Sequence, residues 1–270
     1  MHYGIEVVPF GDFSDPRQIV ALAQAAEAAG WEGLWTWDHV LIPYGVGDPW
    51  VTLAAVAAST KSIKLCAGVS PLPRYRPHLL ARTLAGLDLL SAGRLIFATG
   101  LGIAPDYTPF GEPAGDKIRA EMLDEGLSLL VGYLSGEEIN HHGKYYSAEA
   151  VRLVPTPLQK PRIPVWIGGG SQAALRRAAR WDGWIMGTVN ENSEVTNPPE
   201  KIAGEVAYIL QHRKEKLPFD IAVDGVTQAG ERGLVREYQQ AGATWWFEAI
   251  HLARGTQEEL LQRIKAGPPG

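Results

Sequence analysis

Two hydrophobic periods alternate along this chain from one end to the other. Short runs that are apolar at every or every second position are followed by longer stretches whose apolar residues recur every three or four positions. The first kind predicts strands, the second amphipathic helices, and their strict alternation predicts a parallel sheet wrapped by helices. Tyr3 to Val8 reads as the first strand. Its helix has an entry signal at Asp15-Pro16, apolar Ile19, Leu22 and Ala26, and a stop at Gly30. Gly33 to Trp37 is the second strand, and Asp48-Pro49 opens a helix that buries Leu53, Val56 and Ala57. Ile63 to Val69 and Leu95 to Thr99 are the third and fourth strands, separated by a helix carrying Leu80, Leu84 and Leu87 and ending at Gly93.

A fourth helix runs through Leu123, Leu127, Leu130 and Leu134. From Gly136 to Arg162 the period is lost and prolines accumulate, which predicts an insertion after that helix. The alternation then resumes with strands at Pro164 to Ile167, Gly183 to Met186, Phe219 to Val223 and Thr244 to Phe247. Helices fall at Ala174 to Arg180, around Ile202, Val206 and Ile209, and around Leu234, Val235 and Tyr238. A polar loop spans Asn190 to Pro199, and Thr256 with Glu259 has the spacing of a capping box that opens the last helix. The final Pro268-Pro269-Gly270 reads as a frayed tail. Eight strand-helix units in this length predict an α/β fold, a (β/α)₈ TIM barrel, with residues 1–270 as one domain.

Composition narrows the partners. A net charge of −5 gives no electrostatic case for nucleic acid or an anionic membrane, so a small molecule is expected. No apolar run is long enough to cross a bilayer, and the lone Cys66 sits in an apolar run as a core residue, so the cytoplasm is the expected location.

Barrel active sites gather at the C-terminal ends of the strands. Those ends carry Asp38-His39, Ser70-Pro71, Gly100-Leu101-Gly102, the turn Gly168-Gly169-Gly170-Ser171, Asp224 and Glu248. His39 is the histidine best placed for acid-base chemistry, with Asp38 available to set its tautomer or to cap the loop. The glycine turn joins an apolar strand to an Ala-rich helix, where bare N–H groups can face an anion, although such a turn can be structural only. Glu6 lies mid-strand, and facing the barrel interior it needs a partner. Trp35 and Trp37 share a strand face and read first as barrel packing, with Trp37 near enough to the mouth to stack on a flat ring. No metal site is expected: His141-His142 lie in the insertion and read as exposed.

Several ordered motifs resemble the bacterial-luciferase-like superfamily of flavin- and deazaflavin-dependent oxidoreductases. They include Ala28 to Trp35 leading to Asp38-His39, Asp48-Pro49-Trp50, Ile63 to Pro73, Arg82 to Leu95 with Gly100-Leu101-Gly102 and Phe110-Gly111, Pro164 to Gly169, and Asp182-Gly183-Trp184. The resemblance implies an oxidoreductase, a monooxygenase using FMN or an enzyme using coenzyme F420, with His39 catalytic. It also implies cofactor-binding residues Asp38, Gly68, Val69, Ser70, Gly100, Gly102, Gly168, Gly169, Gly170 and Ser171, and a cis peptide at Gly68-Val69. The cofactor phosphate would lie at the turn, and the 136–162 excursion and the 190–199 loop would help form the substrate pocket. A separate flavin reductase and a homodimer are further implied partners. Ile103 stands where some F420 dehydrogenases have a carboxylate, with Asp106 the nearest acid, and the segment between strands six and seven is shorter than in luciferase proper. Sugar-phosphate oxidation and long-chain aldehyde oxidation with light emission are therefore not expected. A non-catalytic flavin-binding protein on the same barrel is the alternative. An unrelated phosphosugar isomerase or aldolase barrel would need a lysine or paired carboxylates at the strand ends, and the sequence offers neither there.

Overall fold

A computed structural model describes residues 1–269. In chain order its strands are β1 (His2–Val7), β2 (Gly33–Thr36), β3 (Lys64–Ser70), β4 (Leu95–Thr99), β5 (Ile139–His142), β6 (Ser147–Val151), β7 (Val165–Gly168), β8 (Gly183–Met186), β9 (Asp220–Gly225) and β10 (Trp245–Ile250). All but β5 and β6 are parallel and close into an eight-stranded barrel, with β1 pairing β10 to complete the ring. Around it run α1 (Pro16–Ala28), α2 (Pro49–Ser59), α3 (Pro77–Leu90), α4 (Asp116–Ser135), α5 (Gln172–Ala178), α6 (Pro199–His212) and α7 (Gly233–Gln240), and α8 (Gln257–Lys265) follows the last strand. The fold expectation is met.

The helix starts form where local chemistry specifies them. Asp15 and Asp48 accept the N–H groups of Arg17 at 2.9 Å and Val51 at 2.8 Å, each followed by a proline whose missing N–H costs nothing at that position. Thr256 and Glu259 cap each other reciprocally, as their spacing predicts. Two apolar cores result. The larger lies between strands and helices, with Ile5, Leu34, Leu65 and Phe97 on outward strand faces and Ile19, Leu53 and Leu84 on the helices. The smaller fills the lumen with Trp35, Cys66, Ile96, Trp166, Trp245 and Phe247. It makes the barrel a closed plug on which a site can sit only at the mouth.

The expected strand ends shift in two places that matter. The last two barrel strands extend through Asp224 and Glu248, so both acids are in strands rather than after them. Side chains alternate along a strand, which sends the pair to opposite faces. Asp224 turns into the lumen, whereas Glu248 points out to the helix layer, where it pairs with Arg254 at 2.6 Å and Arg263 at 3.2 Å. Glu248 is a structural acid, not a mouth residue.

The 136–162 excursion contains the antiparallel hairpin of β5 and β6, packed on α4 through Glu125, which accepts the N–H groups of Lys144, Tyr145 and Tyr146. Its later part is tied to the opposite end of the barrel from the mouth: the Gln159 amide donates to Asp88 and to the carbonyl of Leu95, the first residue of β4. A helix-to-strand connection emerges at that end, so the excursion does not help form the substrate pocket. His141 is half-buried and meets Glu125 at 3.0 Å, so only His142 of the pair is exposed. The tail is also not frayed as far as Pro269, which is buried; Gly270 lies outside the described residues.

Candidate active site

A cavity of about 440 Å³ opens at the mouth between β2, β3, β4 and β7. Val69 stands in its wall at a break in the β3–β4 register between Ala67 and Ser70, and the Gly68-Val69 peptide is cis, as the resemblance implies. The Val69 side chain fits because its neighbours have none. A Cβ on Gly100 would lie 2.8 Å from one Val69 methyl carbon and a Cβ on Gly168 2.5 Å from the other. Glycine is thus required both just after β4 and at the end of β7 for this branched side chain to present a face to the cavity.

The turn after β7 forms the far wall. Gly169 has φ of +110°, a region that side chains avoid, and its carbonyl accepts the Trp184 indole N–H at 3.0 Å. Ser171 caps α5, accepting the N–H of Ala174 at 3.2 Å. Among the described residues, the N–H groups of Gly170 and Ser171 have no acceptor in the fold, and Gly169 and Ser171 are exposed. Glu205 from α6 approaches the turn beside Gly170; burial pushes its carboxyl up, against the pull of Lys201, which weakens the repulsion it would exert on an anion there.

Opposite the turn, His39 comes from the loop after β2. Its Nδ1 lies 2.7 Å from Oδ2 of Asp106, not of Asp38. Asp38 is turned the other way, onto the Arg74 guanidinium and the Tyr75 hydroxyl, which donates to it at 2.7 Å; Trp50 in turn donates to Tyr75 at 3.0 Å. The adjacent carboxylate therefore does not set the tautomer. Burial pushes the Asp106 carboxyl up, but the N–H of Val40, the His39 ring and the N–H of Leu41 outweigh it and hold the group below its ordinary value. An ionised Asp106 can only accept, so Nδ1 carries the hydrogen, and Nε2 has no partner among the described residues. Asp38 is raised by burial, with Arg74 pulling against it. Arg74 also stands 3.7 Å from Asp106, which links both acids to one nearly buried guanidinium.

Of the residues expected from sequence, His39, Asp38, Val69, Gly100, Gly102, Gly168, Gly169, Gly170 and Ser171 line this one cavity. Gly68 and Ser70 do not. Gly68 is buried behind Val69, where its carbonyl accepts the Trp35 indole N–H, and Ser70 is buried with its carbonyl taking the Thr99 hydroxyl at 2.7 Å. Trp35 belongs to the lumen core and reaches the floor of the cavity, while Trp37, half-buried, borders the cavity and donates to Glu6. Asp106, Arg74 and Tyr75 are site residues that sequence reasoning misses. Their only signal is a charged or phenolic side chain in a loop that follows a strand. No cluster of acids, histidines or cysteines among the described residues is arranged to hold a metal ion, and no helix there is long and apolar enough to cross a membrane.

Comparison with known proteins adds to this geometry. A family model described as luciferase-like monooxygenase matches residues 4–231. The chain is 36% identical over 190 residues to an F420-dependent hydroxymycolic acid dehydrogenase of Mycobacterium tuberculosis, the match covering 67% of this chain and 52% of that protein. The chain thus spans about half the length of that relative. The fold is similar to that of a coenzyme F420-dependent tetrahydromethanopterin reductase from Methanopyrus kandleri, with a TM-score of 0.78, 18% identity, and 98% and 97% of the two chains covered. It is similar to the same degree, 0.78 with 16% identity and the same coverage, to the oxygenating constituent of 3,6-diketocamphane monooxygenase from Pseudomonas putida in complex with FMN.

Proposed function

The chain belongs to the luciferase-like monooxygenase family, and from that premise we propose that it is an oxidoreductase that binds coenzyme F420, or in its place FMN, in the cavity beside Val69 and acts on a small organic molecule. F420 is favoured because the 36%-identical relative is named for it. The observation that carries the reading is the pairing of a glycine-flanked apolar platform with a histidine whose Nδ1 is pinned by a buried carboxylate. The residues present fit such a group. Side chains at 100 and 168 would fill the cradle around Val69, and the free N–H groups of Gly170 and Ser171 suit a phosphate.

When bound, either cofactor supplies a ring that takes up or gives a hydride. The chain's own residues do the rest. Val69 supports a flat ring on one side, Gly100 and Gly102 let it approach the main chain, and the Gly169 to Ser171 turn anchors the phosphate end. Asp106 holds the Nδ1 hydrogen and so positions the ring, which leaves His39 Nε2 to take a proton from the reacting molecule or return it. Trp37 and Phe10, whose rings meet edge-on at 5.9 Å, keep water from that side. With FMN the chain would receive reduced cofactor from a separate reductase. The test is to titrate the purified protein separately with F420 and FMN, following absorbance and fluorescence. Saturable binding of one of them is expected, and binding of neither would overturn the proposal.

A further inference from the structure

Across Trp37 from the glycine cavity lies a larger one of about 710 Å³, at the mouths of β1, β9 and β10. Its walls are apolar, with Val8, Phe10, Ala249 and Leu252, but two carboxyls, Glu6 and Asp224, line its buried end. They are 1% exposed each. Every donor that reaches them from the fold is neutral: the Trp37 indole N–H donates to Glu6, and the Thr188 N–H to Asp224. The two carboxyls share this buried end, close enough for the charge of Asp224 to act on Glu6. Two carboxylates have only acceptors and repel each other, so a proton held by either one relieves the pair. Elsewhere in the core Asp38 is compensated by the guanidinium of Arg74, and Glu248 by those of Arg254 and Arg263. Among the described residues no such cation reaches Glu6 or Asp224. An uncompensated acid pair is a costly way to fill a core, and it faces an open cavity next to the site already described.

We propose that this second cavity is the substrate chamber, and that the Glu6–Asp224 pair seats one neutral oxygen, a carbonyl or a hydroxyl, of an otherwise apolar small molecule. The protonated member donates to a carbonyl; the ionised member accepts from a hydroxyl. The same seat therefore serves both members of a ketone–alcohol couple. The apolar walls take the remainder of the molecule, and Trp37 separates it from the glycine cavity while bordering both. The proposal rests on the cofactor reading only in calling the occupant a substrate.

Burial, and then the neighbouring charge of Asp224, raise the Glu6 carboxyl well above the ordinary carboxylate range, so the donor persists at low pH and is lost as pH rises through the raised value. The other ionisable groups around the chamber are Cys66 on β3, Tyr44 and Glu191 from loops, His251 after β10 and His39 beyond Trp37. Burial pushes the Cys66 thiol up and the His251 ring down, the latter with help from Arg254, so burial favours the neutral form of both.

The test uses ligand-observed NMR on the wild-type protein without cofactor, with acetophenone and its hydrocarbon counterpart ethylbenzene as probes between pH 6 and pH 9. Acetophenone affinity is expected to fall by about 10-fold as the pair loses its proton, the value of one hydrogen bond to such a group, while ethylbenzene changes by less than about 2-fold. In Glu6→Gln, whose amide oxygen still takes the Trp37 N–H, the acetophenone profile should become flat. Should that variant not fold, infrared spectra of the wild type carry the same question: the protonated-carboxyl stretch present at pH 6 should shift when acetophenone binds. Failure of acetophenone to bind, equal profiles for the two probes, a profile that persists in Glu6→Gln, or an unshifted band would each overturn the proposal. Loss of cofactor binding alone, with these results intact, would sink the cofactor reading and leave the chamber standing.

Discussion

Replacing Asp106 by asparagine should disable His39 without emptying the site. Oδ2 of Asp106 meets His39 Nδ1 at 2.7 Å, and Oδ1 accepts from Val40 N–H at 3.1 Å and Leu41 N–H at 3.3 Å. Every neighbour is a donor, so the side chain needs two acceptors and asparagine has one. If its amide oxygen stays on the loop N–H groups, the NH₂ faces Nδ1, which must become an acceptor, and the hydrogen moves to Nε2. If it flips, the loop donors lose their partner in a place where Asp106 is only 1% exposed. The first arrangement keeps every hydrogen bond but in the wrong tautomer, whereas the second leaves two buried loop N–H groups unpaired at about 1–3 kcal/mol each. The wrong-tautomer outcome is expected because two loop donors outvote one ring. Turnover should fall by about 10²-fold, within the range general acid-base catalysis supplies, while cofactor affinity changes by less than about 3-fold. The readout that does not depend on turnover is ¹⁵N NMR of the histidine side chains, with the His39 signals assigned from the spectrum of His39→Gln. The wild type should show His39 with its hydrogen on Nδ1, and Asp106→Asn should show it on Nε2. An unchanged tautomer together with turnover within about 2-fold of the wild type would refute the positioning role.

Other expectations concern the scaffold. Arg94 is buried and donates to Thr60 Oγ1 and to the carbonyls of Ala57, Thr60, Ile63 and Ser91, so Arg94→Met should cost more than about 3 kcal/mol in urea unfolding; a loss under 1 kcal/mol would show that water replaces those contacts. Burial pushes the Glu27 carboxyl up, but the N–H groups of Ser62, Ile63 and Lys61 and the Ser62 hydroxyl outweigh it and bring it to about 2. A depressed folded value means stability that is present above the unfolded value of about 4.3 and lost as pH falls towards 2, about 1–2 kcal/mol after solvent screening. Glu27→Gln should be less stable at pH 7 and show a flatter decline between pH 4.5 and 2; an identical acid profile would contradict this. Thr256→Ala removes a reciprocal cap and should cost about 1 kcal/mol by the same unfolding assay, with no change in cofactor binding.

Features carried by neighbours along the chain are legible in the amino-acid sequence. Asp15-Pro16, Asp48-Pro49 and the Thr256–Glu259 box specify helix starts through contacts within three residues, and all are present. The ends of β9 and β10 are not legible in this way, because an apolar-run criterion stops at Asp224 and Glu248. Whether such an acid faces lumen or helices depends on strand parity and on partners such as Arg254 and Arg263, which only the closed barrel supplies. The site divides the same way. His39 and the glycine turn announce themselves locally, whereas Asp106 reaches His39 from 67 positions away and Asp224 joins Glu6 from two strands away in the closed barrel. The excursion is recognisable as irregular, but the end of the barrel it occupies follows from its place between a helix and a strand.

Ser171→Asp is the most direct measurement on the cofactor claim. Aspartate caps a helix as well as serine, so α5 should keep its start and the melting temperature should hold, but a carboxylate would now stand in the turn proposed to hold a phosphate. Fluorescence titrations of wild type and variant should show F420 and FMN weakened by about 10-fold or more at low salt, with a smaller effect at high salt. Their phosphate-free counterparts, the deazariboflavin core and riboflavin, should bind both proteins alike. Equal affinity of the wild type and Ser171→Asp for the phosphorylated cofactors would contradict the placement of the phosphate, and with it the account of the cavity beside Val69.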